Sequence, residues 1–268
     1  MSSAKLDLVP FGEKLFETKD LDPVYNMLYS SDLKEEDLKR WVLAYWCFYH
    51  PGVCSWITES DDLYEAMYTA IEEKFPRGSE RRHFRGESSK KSVKYLEDRY
   101  PQPESAIDEL FENKDFQSFY DSIREWYLFG DWIAFKAADM MDRVFLREVD
   151  FSNCGLNMYQ QPVEGAKLYS PDQSLNETVE ELKKVFRSYK APPEYERKVG
   201  LQEVETVLCK WKSHQNGHYP IGNDIVEVRE ALEGGEEDWG DLADHLEKSL
   251  PELDRTSILD EVGMIKEE

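Results

Sequence analysis

The stretch Trp126-Tyr-Leu-Phe-Gly-Asp-Trp-Ile-Ala-Phe-Lys-Ala-Ala-Asp-Met-Met-Asp-Arg143 constrains this chain most. A short turn, Leu128-Phe129-Gly130-Asp131, separates two segments of helical spacing. The second begins at Asp131 or Trp132 and carries Ile133, Ala137, Met140, Met141 and Val144 on one face. The pattern reads as a helix-hairpin-helix. Backbone N–H groups at such a turn, and at the helix start after it, can hold an anionic phosphate. Glycine at position 130 lets the backbone come close because it has no Cβ. An ordinary helical hairpin inside a core has the same pattern, so the turn alone leaves both readings open.

Helical spacing recurs through the rest of the chain. Asp20 and Asp22 before Pro23 mark a helix start. Ser31-Asp32 with Glu35-Glu36 resembles a cap for a helix through Leu38, Trp41, Val42, Tyr45 and Phe48, which Pro51-Gly52 closes. Further helices are expected over 61–74, 92–99, 103–112, 115–127, 175–189, 200–212 and 224–232. Residues 151–175 look looser, and Ala191-Pro192-Pro193 ends the helix before it. Strand signals are weak throughout, so an all-α fold is expected. The expected organisation is a helical lobe over 20–145 ending in the hairpin, a second lobe from 1–19 plus 146–232, and an acidic tail over 233–268. From Val226 onward there are 15 acidic and 4 basic residues, which favours a solvated helix or partial disorder over much of that tail.

A net charge of −23 argues against a general nucleic-acid coat, because phosphate would be repelled. It leaves room for a local basic surface. The four cysteines form no CxxC pair, so a zinc ribbon or four-cysteine cluster is not expected, and reduced thiols fit best. No apolar leader is visible at Met1, and the apolar run near Trp41–Tyr49 is too short to span a bilayer. A soluble protein is therefore expected, with no membrane partner and no metal or other cofactor.

Three polar clusters carry candidate chemistry. Between Lys74 and Lys94 stand eight Lys or Arg against two Glu, around Arg81, Arg82, His83 and Arg85. Gly78 and Gly86 suggest a loop, and arginine forks match phosphate oxygens. A solvated, charge-balancing loop is the plainer alternative. On the helix after the hairpin, Lys136 and Asp139 are three apart and share a face. They are either a simple ion pair or, if the face lines a pocket, a proton acceptor beside a phosphate-neutralising cation. The third cluster packs Lys210, Lys212, His214, Asn216, His218 and Tyr219 into a helix end and loop. Charges at a helix C-terminus explain it blandly, and a substrate loop explains it equally well. Zinc on His214 and His218 is a minor option, because Gly217 breaks the helix between them.

Asp150 follows Gly130 by twenty residues, beyond a helix of small residues. This spacing resembles helix-hairpin-helix DNA glycosylases, in which an aspartate stands at the mouth of a pocket for an extruded base. More specifically, Arg81-Arg-His-Phe-Arg-Gly86, Phe129-Gly-Asp-Trp-Ile-Ala-Phe-Lys-Ala-Ala-Asp139 and Cys209-Lys-Trp-Lys-Ser-His-Gln-Asn-Gly-His-Tyr219 resemble the phage α-glutamyl/putrescinyl thymine pyrophosphorylases. These amino acid:DNA transferases are similar to the same glycosylases. The aromatic segment Trp41 to Trp56 is also similar, and the resemblance covers roughly 10–232.

The resemblance implies a helix-hairpin-helix DNA-glycosylase-like, two-lobed helical fold. It implies a phage-encoded enzyme in the host cytoplasm, acting on double-stranded DNA that bears a modified thymine. A pyrophosphate on the 5-methylene of 5-hydroxymethyluracil would be replaced by an amine, from an amino acid or a polyamine. The base must leave the stack to be reached. Gly130 and Trp132 would sit at the DNA backbone, and Arg82, Arg85, Lys210 and Lys212 would face pyrophosphate, with Arg81, His83, His218 and Tyr219 beside them. Asp150, Asp139 or His214 would take the amine's proton, with Lys136 near, or Asp150 would instead support charge on a methylene cation or hold the amine. Bifunctional glycosylases place a lysine two residues after the hairpin glycine, where this chain has Trp132, so lyase chemistry is disfavoured. A monofunctional glycosylase and a non-enzymatic acidic mimic of DNA are the two rival readings. The basic loop counts against the mimic.

Overall fold

The computed structural model describes residues 5–156, 159–191, 193, 197–235 and 237–252. All regular elements among them are helical, with no strand, as the periodicity predicts. In chain order they are α1 (Leu8–Glu17), α2 (Pro23–Ser30), α3 (Glu35–Phe48), α4 (Pro51–Glu59), α5 (Leu63–Glu72), α6 (Gly86–Arg99) and α7 (Glu104–Leu110). Then follow α8 (Phe116–Arg124), α9 (Asp131–Arg143), α10 (Gln160–Tyr169), α11 (Leu175–Val185), α12 (Leu201–Gln215), α13 (Asn223–Glu233) and α14 (Asp241–Glu247). A short 3-10 turn, Ser79–Arg81, precedes α6.

The chain divides into two compact units, one spanning Met1–Asn26, Gly155–Glu227 and Leu250–Glu268, the other Met27–Cys154 and Val228–Ser249. In the second unit, α3 buries Trp41, Val42, Tyr45, Trp46 and Phe48. Pro51-Gly52 does not close a helix as predicted but opens α4. Tyr49, at φ 51°, ends α3 instead, and the His50 ring accepts from the Val53 N–H at the start of α4. Proline suits a first helical position because the N–H it lacks would have no partner there. The caps of α5 and α8 are side chains of Asp62 and Asp115, each accepting backbone N–H bonds in the first turn.

Part of the acidic end is helical, one of the two expected forms, but it is less solvated than expected. Residues 241–247 form α14, which packs on α4, and Trp239, Ala243 and Leu246 are buried. Three apolar side chains anchor a segment that charge counting reads as solvated. The remainder of that tail, 253–268, lies outside the described residues, as does Pro192.

In the first unit, α10 packs along α12. The predicted looseness of 151–175 fails here because Pro162 falls in the first turn of α10, where it is tolerated. Gly165 explains the closeness: a Cβ at that position would stand 2.4 Å from the Leu208 carbonyl oxygen. Ser174 and Glu177 form a reciprocal capping box on α11. No helix among the described residues is long and apolar enough to cross a membrane.

Candidate functional site

Helices α8 and α9 pack together and are joined by the turn 125–130. Leu128 takes the left-handed conformation, at φ 67°. Gly130 does not: at φ −96° and ψ −179° it is extended backbone that any residue adopts. A Cβ on Gly130 would meet nothing nearer than the Arg124 Nη1, at 3.9 Å. The fold therefore gives no steric or conformational reason for glycine here. Gly130 also provides no side-chain cap for α9. Arg124 braces the turn by donating to the Phe129 carbonyl at 2.6 Å and pairing with Asp131 at 3.3 Å.

The basic segment is not one uniform loop. Its last lysines lie on α6, where Lys90 pairs with Glu72 at 2.6 Å and Lys94 pairs with Asp98. Arg82, His83, Arg85 and Lys91 are exposed. Arg81 points inward and is 7% exposed. Its Nε donates to the Cys47 carbonyl at 3.1 Å and its Nη1 to the Leu128 carbonyl at 3.0 Å. Cys47 lies in the last turn of α3, where unpaired carbonyls favour a cation. The guanidinium lies over the rings of Phe84 and Phe129, 4.8 and 4.9 Å from their centroids. Its Nη2 is buried without a hydrogen-bond partner. Burial pushes the Arg81 pKa down.

Two of the singled-out motifs meet at one cavity of about 190 Å³. Glu80, Arg81, His83 and Phe84 line it from the basic segment. Leu128, Gly130, Trp132 and Ile133 line it from the hairpin. Trp132 stands edge-on to Tyr49, with centroids 5.0 Å apart. Sequence reasoning named Arg81, His83, Gly130 and Trp132 but missed Glu80, Phe84, Leu128 and Ile133. Apolar wall residues have no spacing signature of their own.

Asp150 is exposed and does not line this cavity. Its Oδ1 accepts from the Ser152 N–H at 2.8 Å and its Oδ2 from the Ser152 hydroxyl at 2.9 Å. Its backbone is fixed against the start of α8, with N–H to the Lys114 carbonyl and C=O to the Phe116 N–H, both at 2.9 Å. Asp142 accepts from the neighbouring Val149 N–H at 3.1 Å. A mobile loop would not hold a carboxylate this way.

Lys136 and Asp139 are buried, at 7% and 0% exposure. Asp139 lies 3.3 Å from Arg143 and 3.7 Å from Lys136. The ion pair predicted between them is present, with Arg143 as an added partner that spacing analysis passed over. A carboxylate flanked by two cations inside the unit braces α9.

The third cluster belongs to the other unit and is used internally. Lys210 donates to the Asp20 carbonyl at 2.5 Å and pairs with Asp224 at 2.7 Å. Burial works against its charge, but Asp224, Asp20 and Asp22 hold its pKa above the usual value. Tyr219 donates to Asp20 Oδ2 at 2.9 Å, and burial drives its own pKa far up. Lys212 pairs with Glu164 and donates to Gln161 at 2.9 Å. His218 is exposed.

His214 corrects the expectation of a general base. It is 0% exposed and stacks on Phe11 at 4.7 Å. Nε2 accepts from the Leu6 N–H at 3.1 Å, and Nδ1 lies 2.8 Å from the Tyr219 carbonyl. A neutral ring that donates from Nδ1 and accepts at Nε2 satisfies both contacts. Burial lowers its pKa, and no lone pair remains for a substrate proton. Lys210 and Tyr219 likewise spend their polar ends on Asp20 and Asp224. The density of polar types in 209–219 thus reflects closure of a buried network centred on Asp20, which the sequence presents only as a helix-start signal.

Comparison with known proteins gives the family. The family model for amino acid:DNA transferase matches residues 7–218. A glycinyltransferase of Pseudomonas phage PaMx11 is 39% identical over 264 residues, covering 85% of this chain and 90% of the relative. The chain belongs to the amino acid:DNA transferase family. A putrescinyltransferase of Delftia phage PhiW-14 is 26% identical over 260 residues, covering 90% of this chain and 82% of that protein. This transferase is thus an enzyme of DNA modification with phage relatives, and the non-enzymatic mimic falls away.

Proposed function

We propose that this transferase takes a pyrophosphorylated 5-hydroxymethyluracil from duplex DNA and joins an amine to its 5-methylene carbon. The amine nitrogen forms the new C–N bond. The C–O bond to pyrophosphate breaks, and pyrophosphate leaves with the electron pair. The ammonium form of the amine must first lose a proton to a carboxylate. Asp150 is the candidate, because it is exposed and its backbone is held on both sides. The target base must be swung out of the stack at a cost of a few kcal/mol.

The observation that carries this reading is Gly130. Neither backbone conformation nor packing demands glycine there, so its lack of a side chain serves something that approaches from outside. A DNA phosphate at the start of α9 fits that demand. Exposed Arg82, Arg85 and Lys91 supply local positive charge on the same unit. They offset the repulsion that a net charge of −23 would otherwise exert on DNA.

The decisive experiment supplies pyrophosphorylated DNA and an amine, separately and together. Pyrophosphate release and a mass-shifted nucleoside are expected only with both present. Free base and abasic sites in their place would support the glycosylase reading.

Two further outcomes are expected. Gly130→Ala should leave the melting temperature unchanged, because the new methyl group has room. It should weaken DNA binding about tenfold, as a methyl group holds phosphate off the backbone. Equal affinity for both proteins in a binding titration would remove the hairpin from the DNA interface. Arg82→Ala and Arg85→Ala should each weaken DNA binding similarly across sequences and reduce the salt slope by about one. A greater loss in turnover than in affinity would assign them to pyrophosphate instead.

A further inference from the structure

The short return from α9 to Asp150 holds a leucine that neither backbone nor packing favours. Leu146 takes the left-handed conformation, at φ 53°. Glycine ordinarily fills such a place after a helix, because a Cβ is crowded there. The Leu146 side chain is also 41% exposed, so packing recovers only part of that cost. Among the exposed large apolar side chains of the described residues, it alone has a positive φ. The chain on either side of it is fixed. The Phe145 N–H bonds the Met140 carbonyl at 3.2 Å, and the Arg147 N–H bonds the Met141 carbonyl at 3.0 Å. Phe145 stands edge-on to Phe111 at 5.5 Å, and the Arg147 guanidinium lies over the same ring, 4.6 Å from its centroid. Leu146 thus sits between two anchored neighbours. Strain that the surroundings maintain in this way points to use rather than accident.

Chemistry limits what such a side chain can do in an enzyme that modifies DNA. Leucine carries no donor, acceptor or charge, so it serves neither phosphate binding nor proton transfer. It can take the place of a stacked base, as the apolar side chains that proteins insert between base steps do. Asp150 follows four residues later, so the two Cα atoms lie within about 14 Å of each other. We infer that Leu146 is the wedge that enters the duplex at the target base and holds the gap while that base is swung out towards Asp150. Arg147, exposed beside it, offers its charge to the phosphates that flank the gap. Leu146 makes no contact with the reacting atoms. It is a positioning residue, and its effect on the reaction runs through the extruded base.

This inference rests on the transferase reading proposed above, but its main readout does not require turnover. Duplex DNA carries the pyrophosphorylated base with 2-aminopurine next to it, a base whose fluorescence rises when its neighbour unstacks. Binding of the full-length wild type should raise that fluorescence, and binding of Leu146→Gly should raise it at least ~5-fold less, because nothing then fills the gap. Glycine suits the left-handed conformation, so the fold of this variant should persist by circular dichroism. Amine transfer to the duplex should fall at least ~10-fold in Leu146→Gly. It should stay within about threefold of wild type when the target lies opposite an abasic site, where the base has no partner to lose. Leu146→Met, which keeps an apolar side chain, should restore both fluorescence and transfer. An equal rise in Leu146→Gly and wild type would overturn the wedge, and so would no rise on a duplex that the wild type binds. Equal loss of transfer on paired and unpaired substrates, or Leu146→Met failing as Leu146→Gly does, would also overturn it. A rise that depends on Leu146, without pyrophosphate release from any amine, would overturn the reaction and leave the wedge standing.

Discussion

Asp150→Asn is expected to lower amine transfer by about 10²- to 10⁴-fold, the usual contribution of a positioned acid–base group. The substitution is well matched to the local structure. An asparagine side-chain oxygen still accepts from the Ser152 N–H, and its amide can donate to the Ser152 hydroxyl. The backbone bonds to Lys114 and Phe116 do not involve the side chain. Fold and DNA affinity should therefore persist, and only the negative charge and the proton acceptor are lost. Single-turnover transfer, read by nucleoside mass, together with a DNA titration checks this. Transfer within threefold of wild type would exclude Asp150 from the chemistry. The neighbouring Asp142→Leu frees the Val149 N–H and should reduce transfer less, through misplacement of Asp150.

Asp20→Ala is expected to be the most damaging substitution for stability in the first unit. The Asp20 carboxylate is 0% exposed. It accepts from the Tyr219 hydroxyl at 2.9 Å, the Gly222 N–H at 2.7 Å and the Ile225 N–H at 3.2 Å. Alanine would leave these donors unsatisfied and remove a countercharge of Lys210, at a cost of about 3–5 kcal/mol. Chemical denaturation checks this, and a loss below 1 kcal/mol would show that water or rearrangement replaces the carboxylate. Burial raises the Asp20 pKa from 3.8 to about 6, although Lys210 and the hydrogen bonds pull against it. The folded state therefore holds this proton more firmly than the unfolded chain. The contribution is fully present below pH 3.8 and is lost as pH rises through about 6. Asp20→Asn lacks the step, so the stability advantage of wild type over that variant should narrow across this window.

Much of the second unit was legible from spacing. Ile133, Ala137, Met140 and Met141 recur at helical intervals, and α9 forms with them buried. Pro51-Gly52 misled because proline stops one helix and starts another with equal ease, and only the left-handed Tyr49 separates the two cases. The basic segment was visible as a charge anomaly, but its division into a buried Arg81 and exposed Arg82 and Arg85 was not. Neighbouring arginines look alike in sequence and differ only in which carbonyls lie within reach. The cluster at 209–219 showed the opposite error. Its polar density suggested a substrate loop, and its partner Asp20 lies almost two hundred residues earlier.

The sequence by itself determined that this chain is helical, that it turns at Gly130, and that it keeps a local basic segment within a strongly acidic whole. These follow from periodicity, turn chemistry and charge, all properties of near neighbours along the chain. Tertiary structure decided which charges are spent inside the fold and which remain for a ligand. It committed His214 and Lys210 to the interior, and it brought Glu80 and Arg81 to one cavity with Trp132 and Ile133. The availability of a polar group depends on desolvation and on partners distant in sequence, and neither is encoded in local spacing.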